Sequence, residues 1–345
     1  MPKTNEIIRI AVDAMGGDNA PDEIIKGAIL AAQRKENIEI SLVGPIDILE
    51  KKWGDLGSPD NLAIRFVNSK DYITESDSPV SVIRNKSESS IAVATKLVRK
   101  GEVDAVIGAG YSGAVAVSAI QYVGMLEGME RPAIIASLSS FAHNTLLLDS
   151  GANVDCKPHQ LLSFGIVGSI CAKSLFGIPN PTVALLSTGA ESSKGNDAIR
   201  EAYTLFQNSN LNFIGSVEGS DILGGLANVV ICDGYTGNIL LKFYESIAGY
   251  ARIWVKHKLS RHPILKSTVD PIFHKLFPMA RKSYESEDEV SGILWGIDGI
   301  IRIAHGASYA SHINHAIMSA RNAVQADIVG SLRSELVKYK TEGKL

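Results

Sequence analysis

Near its start the chain reads Ile10-Ala11-Val12-Asp13-Ala14-Met15-Gly16-Gly17-Asp18-Asn19-Ala20-Pro21. The apolar run from Ile7 to Val12 is the signature of a short buried strand. Asp13 closes that strand, and two glycines then free the backbone for positive φ or close approach to another group. Asn19, Ala20 and Pro21 open a helix whose apolar positions Ile24, Ile25, Ala28, Ile29 and Ala32 recur at helical spacing. A strand, a glycine turn and a helix N-terminus make an anion site in many folds, although the same turn also serves simple chain reversal.

The same rhythm continues outward. Ile38–Gly44 and Leu62–Val67 read as strands, with a short helix over Ile46–Lys52. A helical region starts at Asp77-Ser78-Pro79 and runs with interruptions to Lys100; Val103–Ile107 is a strand and Ala114–Gly124 a helix. Pro132–Leu138 and Thr145–Leu148 are further strands, followed by a helix over Lys157–Leu175 and a strand over Thr182–Leu186. Asn196–Gln207 is helical, Leu211–Gly215 and Val229–Cys232 are strands, and a long helical region follows from Ile239. Alternating strands and helices predict a mainly parallel sheet covered on both faces. With no Pro/Ser-rich linker and no repeat, residues 1–345 are expected to form a single α/β domain of two lobes on a continuous sheet.

Composition narrows the function. Hydrophobic residues make up 45% of the 345 and charged residues 21%, the balance of a soluble globular enzyme. A net charge of −3 gives no global attraction to nucleic acid, so no nucleic-acid partner is expected. Cys156, Cys171 and Cys232 match no zinc spacing and cannot all pair, which suits a reducing compartment. The first residues lack the apolar run of a secretory signal, so a cytoplasmic location is expected.

The strand ends after Val12, Ile107, Leu186 and Cys232 each carry glycine with polar residues. In parallel sheets the ligand crevice lies beyond the carboxyl ends of the strands. Loops rich in backbone N–H and poor in side-chain bulk suit phosphate. None is a Walker A motif: Gly189 to Lys194 lacks that spacing, and Gly108-Ala109-Gly110 does not continue as a dinucleotide fingerprint. An ATPase or simple NAD enzyme is disfavoured.

Taken together, these stretches resemble the bacterial acyl-carrier-protein:phosphate acyltransferase family of PlsX type. The matching stretches are Ala11 to Asp18, Arg131-Pro132-Ala133, Leu146 to Asp149, Gly151-Ala152-Asn153-Val154-Asp155, Lys157-Pro158, Lys194-Gly195-Asn196, Asn212 to Gly215, Asp233-Gly234, Thr236-Gly237-Asn238 and His305-Gly306. The resemblance implies transfer of a fatty acyl group from acyl carrier protein to inorganic phosphate, for phospholipid synthesis. It also implies a three-layer α/β/α Rossmann-like sandwich, related to phosphotransacetylases and to the isocitrate/isopropylmalate dehydrogenases, in a homodimer. The chain departs from the family's Ala-Gly-Asn-Thr-Gly-Ala at Ala109-Gly110-Tyr111-Ser112-Gly113-Ala114, at Ser150, and over Ser291–Gly296.

Phosphate attack on a thioester needs a held anion and a stabilised oxyanion, while the thiol leaves without strong acid assistance. Under the resemblance, Lys194 is expected to stabilise phosphate or oxyanion and Asn238 to donate to the carbonyl, with an N-cap as its alternative. Asp233 either orients Lys194 or caps its turn, and His305 serves as base, phosphate donor or structural residue. Asp13, Gly16, Gly17, Asp18, Gly110, Ser112, Gly113, Asn153, Gly189, Gly195, Asn196 and Gly237 are the expected substrate-binding set, Asp13 and Asp18 having turn-holding as the competing role. Cys156 and Cys232 read as small core residues, transfer is direct, and neither metal nor cofactor is expected.

Between Arg252 and Lys282 basic residues predominate, among them Arg252, Lys256, Lys258 and Lys266. Ile264, Leu265, Phe273 and Phe277 recur there on one helical stripe, broken by Pro263 and Pro271. Residues 240–282 are thus expected to form a basic amphipathic helical segment, meeting an anionic membrane surface or acidic acyl carrier protein. A dimer interface or ordinary core helices are the alternatives. The rival functions are a phosphotransacetylase-like enzyme using short acyl-CoA and a non-catalytic carrier- or membrane-binding scaffold.

Overall fold

A computed structural model describes residues 6–34, 36–74, 76–78, 84–138, 144–260 and 292–341. Its first five-stranded sheet has the order β12-β4-β1-β2-β3 and is parallel throughout. Those strands are β1 (Ile8–Asp13), β2 (Ile38–Gly44), β3 (Ile64–Asn68), β4 (Ala105–Gly108) and β12 (Ile300–Ile303). The second sheet, β6-β7-β10-β8-β9, comprises β6 (Ala136–Ser137), β7 (Leu146–Leu148), β8 (Thr182–Leu186), β9 (Asn212–Val217) and β10 (Val229–Ile231). It is parallel except where β6 meets β7. A two-stranded antiparallel pair joins β5 (Ala133–Ile134) to β11 (Leu294–Trp295).

Helices cover both faces, for the reason the apolar runs suggest: successive strand side chains point to opposite sides, and here both sides are dry. On β1, Ile8, Ile10 and Val12 face one apolar cluster, with Ile24, Ile25 and Ala28 of α1 (Asp22–Ala32) and Ile313, Ala316 and Ile317 of α9 (Ala310–Gln325). Ala11 faces the other way, toward Ile91, Ala94 and Leu97 of α3 (Ser90–Arg99). The first cluster continues through the second sheet, where Leu146, Leu148, Val183, Leu185, Val229 and Ile231 meet Phe164 and Val167 of α5 (Pro158–Phe176). Leu147, Ala184 and Val230 point oppositely, toward Leu240, Leu241 and Tyr244 of α8 (Gly234–Ser260).

The remaining helices are α2 (Ile46–Asp55), α4 (Ser112–Ser118), which continues as a π turn over Ala119–Val123, α6 (Asp197–Gln207), α7 (Gly219–Gly224) and α10 (Ile328–Thr341). The expected continuous sheet is corrected: hydrogen bonding divides the strands into two sheets that share a core. The expected strand Pro132–Leu138 is divided between them as β5 and β6, each two residues long. Its two halves take different partners, β5 pairing with β11 and β6 with β7, so the strand breaks at Ile135 between them. Ile134 N–H donates to Asp149 Oδ1 at 3.0 Å, and its carbonyl accepts from the Ser150 amide at 2.9 Å. The short α7, β11, β12, α9 and α10 were not anticipated. Arg302, fully buried on β12, donates to Ser319 Oγ of α9 and so ties this late strand to its helix.

Candidate active site

Two clusters form at the strand ends. In the first, Asp13 is 4% exposed and its Oδ1 accepts the Met15 amide at 3.1 Å. Burial pushes its carboxyl up to about 6, against the opposing pull of the Ser90 hydroxyl and the Met15 and Gly16 amides. Gly17 has φ +102°, and a Cβ there would come within 2.8 Å of the Ala109 carbonyl and 2.9 Å of the Gly306 carbonyl. Gly16 lies as closely on Gly110, with 2.8 Å from its would-be Cβ to the Gly110 nitrogen. The Asp18 amide donates to the Gly306 carbonyl at 2.8 Å. This turn therefore locks three loops together backbone to backbone. Its glycines admit this close approach, and Asp13 accepts an amide of the turn.

His305 belongs to this first cluster. It is exposed, and its Nδ1 accepts the Ala307 amide at 3.2 Å, which leaves the ring proton of the neutral form on Nε2. Ser112 and Gly113 open α4 just after Gly110, with Tyr111 47% exposed beside them.

The second cluster is built on Asp149, which ends β7 and is fully buried. Its Oδ1 accepts from the amides of Ile134, Gly151 and Ala152 at 3.0, 3.1 and 3.0 Å. Its Oδ2 accepts from Asn153 N and Nδ2 at 2.7 and 2.8 Å. Burial raises the carboxyl's pKa, and these donors oppose the rise. Asn153 Nδ2 also donates to the Pro132 carbonyl at 2.7 Å, so both of its amide hydrogens are engaged in buried bonds. Asn153, one of the expected substrate contacts, thus braces this loop through its Nδ2.

Against this brace sits the start of α8. The Gly234 amide donates to the Asn153 carbonyl at 2.7 Å. A Cβ on Gly237 would overlap the Asp149 carbonyl oxygen, so only glycine admits the approach. Asp233 caps the helix: Oδ1 accepts the Thr236 amide at 2.8 Å and Oδ2 the Thr236 hydroxyl at 2.9 Å. Capping is one of the two roles expected of Asp233, beside orienting Lys194. Because α8 begins at Gly234, Asn238 stands in the helix beyond the cap position, which corrects the N-cap alternative. Its side chain lies beside Gly151, 3.6 Å from where a Cβ would stand.

A cavity of about 460 Å³ opens here. Its walls are Val154, Asp155, Cys156 and Leu161 on one side, Asn196, Ala198 and Ile199 at the start of α6, and Asp233, Tyr235 and Thr236 at the start of α8. Two helix N-termini thus border one cavity, an arrangement whose dipoles favour an anion. Asn196 caps α6 by accepting the Ile199 amide at 2.9 Å. Gly195, with φ +91°, precedes it. Lys194, two residues before Asn196, is exposed, and a Cβ on Gly189 would come within 2.9 Å of Lys194 Cγ. Lys194, Gly195, Asn196 and Gly189 thus share one loop, of which Asn196 lines the cavity and Lys194, Gly195 and Gly189 do not.

Cys156, expected as a small core residue, is half-buried: it packs against the apolar cluster and also lines the cavity. Burial and the charges of Asp149 and Asp233 push its thiol up to about 12, with Arg131 and the Gly234 amide working against the rise. Cys232 is buried as expected. Among the described residues no three His, Cys, Asp or Glu side chains gather as a metal site. Asp149, Cys156, Tyr235 and Thr236 were missed as site residues. The signal for Asp149 was present, since Leu146-Leu147-Leu148-Asp149 repeats the strand-then-carboxylate pattern of Val12-Asp13.

Of the basic segment, Arg252, Lys256 and Lys258 fall within α8, while Ile264, Leu265, Lys266, Phe273 and Phe277 lie outside the described residues. No helix among the described residues is long and apolar enough to cross a membrane.

Known proteins place this architecture. A phosphotransacetylase from Streptococcus pyogenes superposes with a TM-score of 0.59 at 18% identity, covering 93% of this chain and 94% of that one. The EutD phosphotransacetylase from Staphylococcus aureus gives 0.55 at 17% identity, over 92% and 94%. At such identities the likeness is one of fold. Sequence relatives are nearer: a phosphate acyltransferase of Pelotomaculum thermopropionicum is 39% identical over 340 residues, 97% of both chains. That of Thermoanaerobacterium thermosaccharolyticum is 39% identical over 329 residues, 95% of this chain and 97% of the relative. A family model described as "Fatty acid synthesis protein" matches residues 8–330. The chain belongs to the phosphate acyltransferase family.

Proposed function

We propose that this protein transfers a fatty acyl group from acyl carrier protein to inorganic phosphate, giving acyl phosphate and the free carrier thiol for phospholipid synthesis. One observation carries the reading: in a chain of this family, a cavity of about 460 Å³ is bordered by the N-termini of α6 and α8, with Lys194 in the adjoining loop. A phosphate oxygen attacks the thioester carbonyl, the C–O bond forms, the C–S bond breaks and the carrier leaves as thiolate. The helix N-termini and Lys194 hold the anion and the developing oxyanion. Asn238 donates to the carbonyl, Asp233 holds the helix start, and transfer is direct, with no acyl-enzyme. His305 and the Gly110-to-Gly113 loop line the approach from the first sheet. Residues 1–345 act as one catalytic unit of two lobes, in a homodimer, with residues 240–282 meeting the carrier protein or an anionic membrane surface.

The fold shared with phosphotransacetylases favours a second reading, a short acyl-CoA as donor. Both are tested by supplying phosphate with either long-chain acyl carrier protein or acetyl-CoA and trapping acyl phosphate with hydroxylamine. Phosphate-dependent long-chain hydroxamate is the expected result; product from acetyl-CoA alone selects the second reading. Lys194→Ala is expected to lower kcat at least about 100-fold with carrier binding intact. Unchanged turnover removes Lys194 from the mechanism.

A further inference from the structure

We propose that Asp149 is a positioning residue for the candidate site, acting through Asn153 and the first turn of α8; the inference rests on the acyltransferase reading above. Asp149 is fully buried and is not among the residues that line the cavity, yet the first turn of α8, which supplies Asp233, Tyr235 and Thr236 to the wall, rests against it. Three amides converge on one of its oxygens, from Ile134, Gly151 and Ala152. The other oxygen takes the backbone and side-chain nitrogens of Asn153. Five N–H donors on two oxygens with about four lone-pair sites leave no acceptor free, and an added proton would displace one of them.

The consequences run in two directions. Through Ile134 and Ala152 the carboxylate joins the second sheet to the first, since both residues pack on the apolar cluster beneath α3. Through Asn153 it sets the carbonyl that receives the Gly234 amide, and Gly234 in turn lies against the Cys156 thiol. Gly234 and Gly237 rest on Asp149 and Asn153 with no room for a Cβ: at Gly234 one would come within 2.6 Å of the Asn153 carbonyl and 2.8 Å of Asp149 Oδ2. The helix therefore sits on this carboxylate by backbone alone. Asp233, Thr236 and Asn238, which project from that turn, take their positions from it. A displacement of about 1 Å in such groups is enough to cost about 100-fold in rate.

Asp149→Asn keeps the shape but turns an NH₂ toward one set of N–H donors. The variant is compared with Leu42→Ala, a buried core change on β2 in the first sheet, outside the cluster built on Asp149. The expected result is a folded Asp149→Asn protein with kcat down about 100-fold and both KM values within about threefold, while Leu42→Ala loses at least as much in Tm and keeps kcat within about twofold. Wild-type kcat in folded Asp149→Asn, or kcat losses that follow Tm alike in both variants, overturns the proposal. If Asp149→Asn does not fold, Asn153→Ala removes the two bonds made by Nδ2, to Asp149 and to the Pro132 carbonyl; a fall in kcat of about tenfold supports the role and wild-type kcat overturns it. Native-state alkylation of Cys156, read by peptide mass spectrometry, keeps the inference separate from the activity. Should the wild type make no acyl phosphate, the acyltransferase reading fails. The positioning role then holds if either variant changes the Cys156 alkylation rate at least about fivefold over Leu42→Ala, and falls if the rates agree.

Discussion

Asp13 is 4% exposed at the end of β1, and burial pushes its carboxyl up to about 6. The folded state therefore holds its proton to a higher pH than the unfolded chain, whose aspartate titrates near ~4. The stabilisation linked to that proton is complete below about pH 4 and is lost as pH rises through about 6, a swing of about 3 kcal/mol. Asp13→Asn removes the titration. Urea unfolding from pH 4 to 7 is expected to give a wild-type stability that falls relative to the variant by a few kcal/mol; parallel profiles contradict the buried, raised carboxyl. The residue was legible as a strand-closing carboxylate. Its burial was not, because that depends on Ser90 and the Gly110 loop, which are far away in sequence.

Among the elements, β2 and β8 have the boundaries their apolar runs predict, since each run is bounded by turn residues and buried on both faces. The start of α8 lies five residues before Ile239, where the apolar periodicity begins. Asp233 caps the turn, and Gly234 and Gly237 are admitted for closeness to Asp149, so this first turn carries no apolar signal. The element is correspondingly sensitive. Gly237→Ala puts a methyl onto the Asp149 carbonyl oxygen, and the helix must move. A loss of about 1–3 kcal/mol in a denaturant melt is expected, with a fall in turnover that exceeds it in proportion. A variant with wild-type melting and wild-type turnover would show that the close approach has no functional weight.

At the scale of the molecule, the two sheets have separate hydrogen-bond ladders and one common apolar cluster beneath them. The loop following β7 spans the junction, with Asp149 and Ser150 bonded to Ile134 and Ala152 packed on the first sheet's second cluster. Beyond that core, α8 runs to Ser260 and leads into the segment where Ile264, Phe273 and Phe277 alternate with lysines and arginines. Cosedimentation with anionic vesicles is expected to fall at least about tenfold when these three are replaced by serine, and to weaken as salt rises. Binding that is unchanged by the substitutions rejects the interfacial reading of this segment.

The sequence by itself determined the alternation of strands and helices, the parallel sense of most strands and the glycine-rich strand ends. Those features follow from local periodicity and from the backbone conformations that particular residues allow. It also brought Lys194, Asn196, Asp233 and Asn238 forward as candidates, because chemistry-bearing residues at strand ends stand out against apolar runs. Only the tertiary structure decided that the strands divide into two sheets and that the opening Met15-Gly16-Gly17-Asp18 turn locks loops together. The same is true of Asn153 as a brace, Cys156 as a cavity wall and Asp149 as the group beneath α8. Each of these rests on contacts between residues distant in the chain, where burial and hydrogen bonding are set by partners that no local pattern specifies.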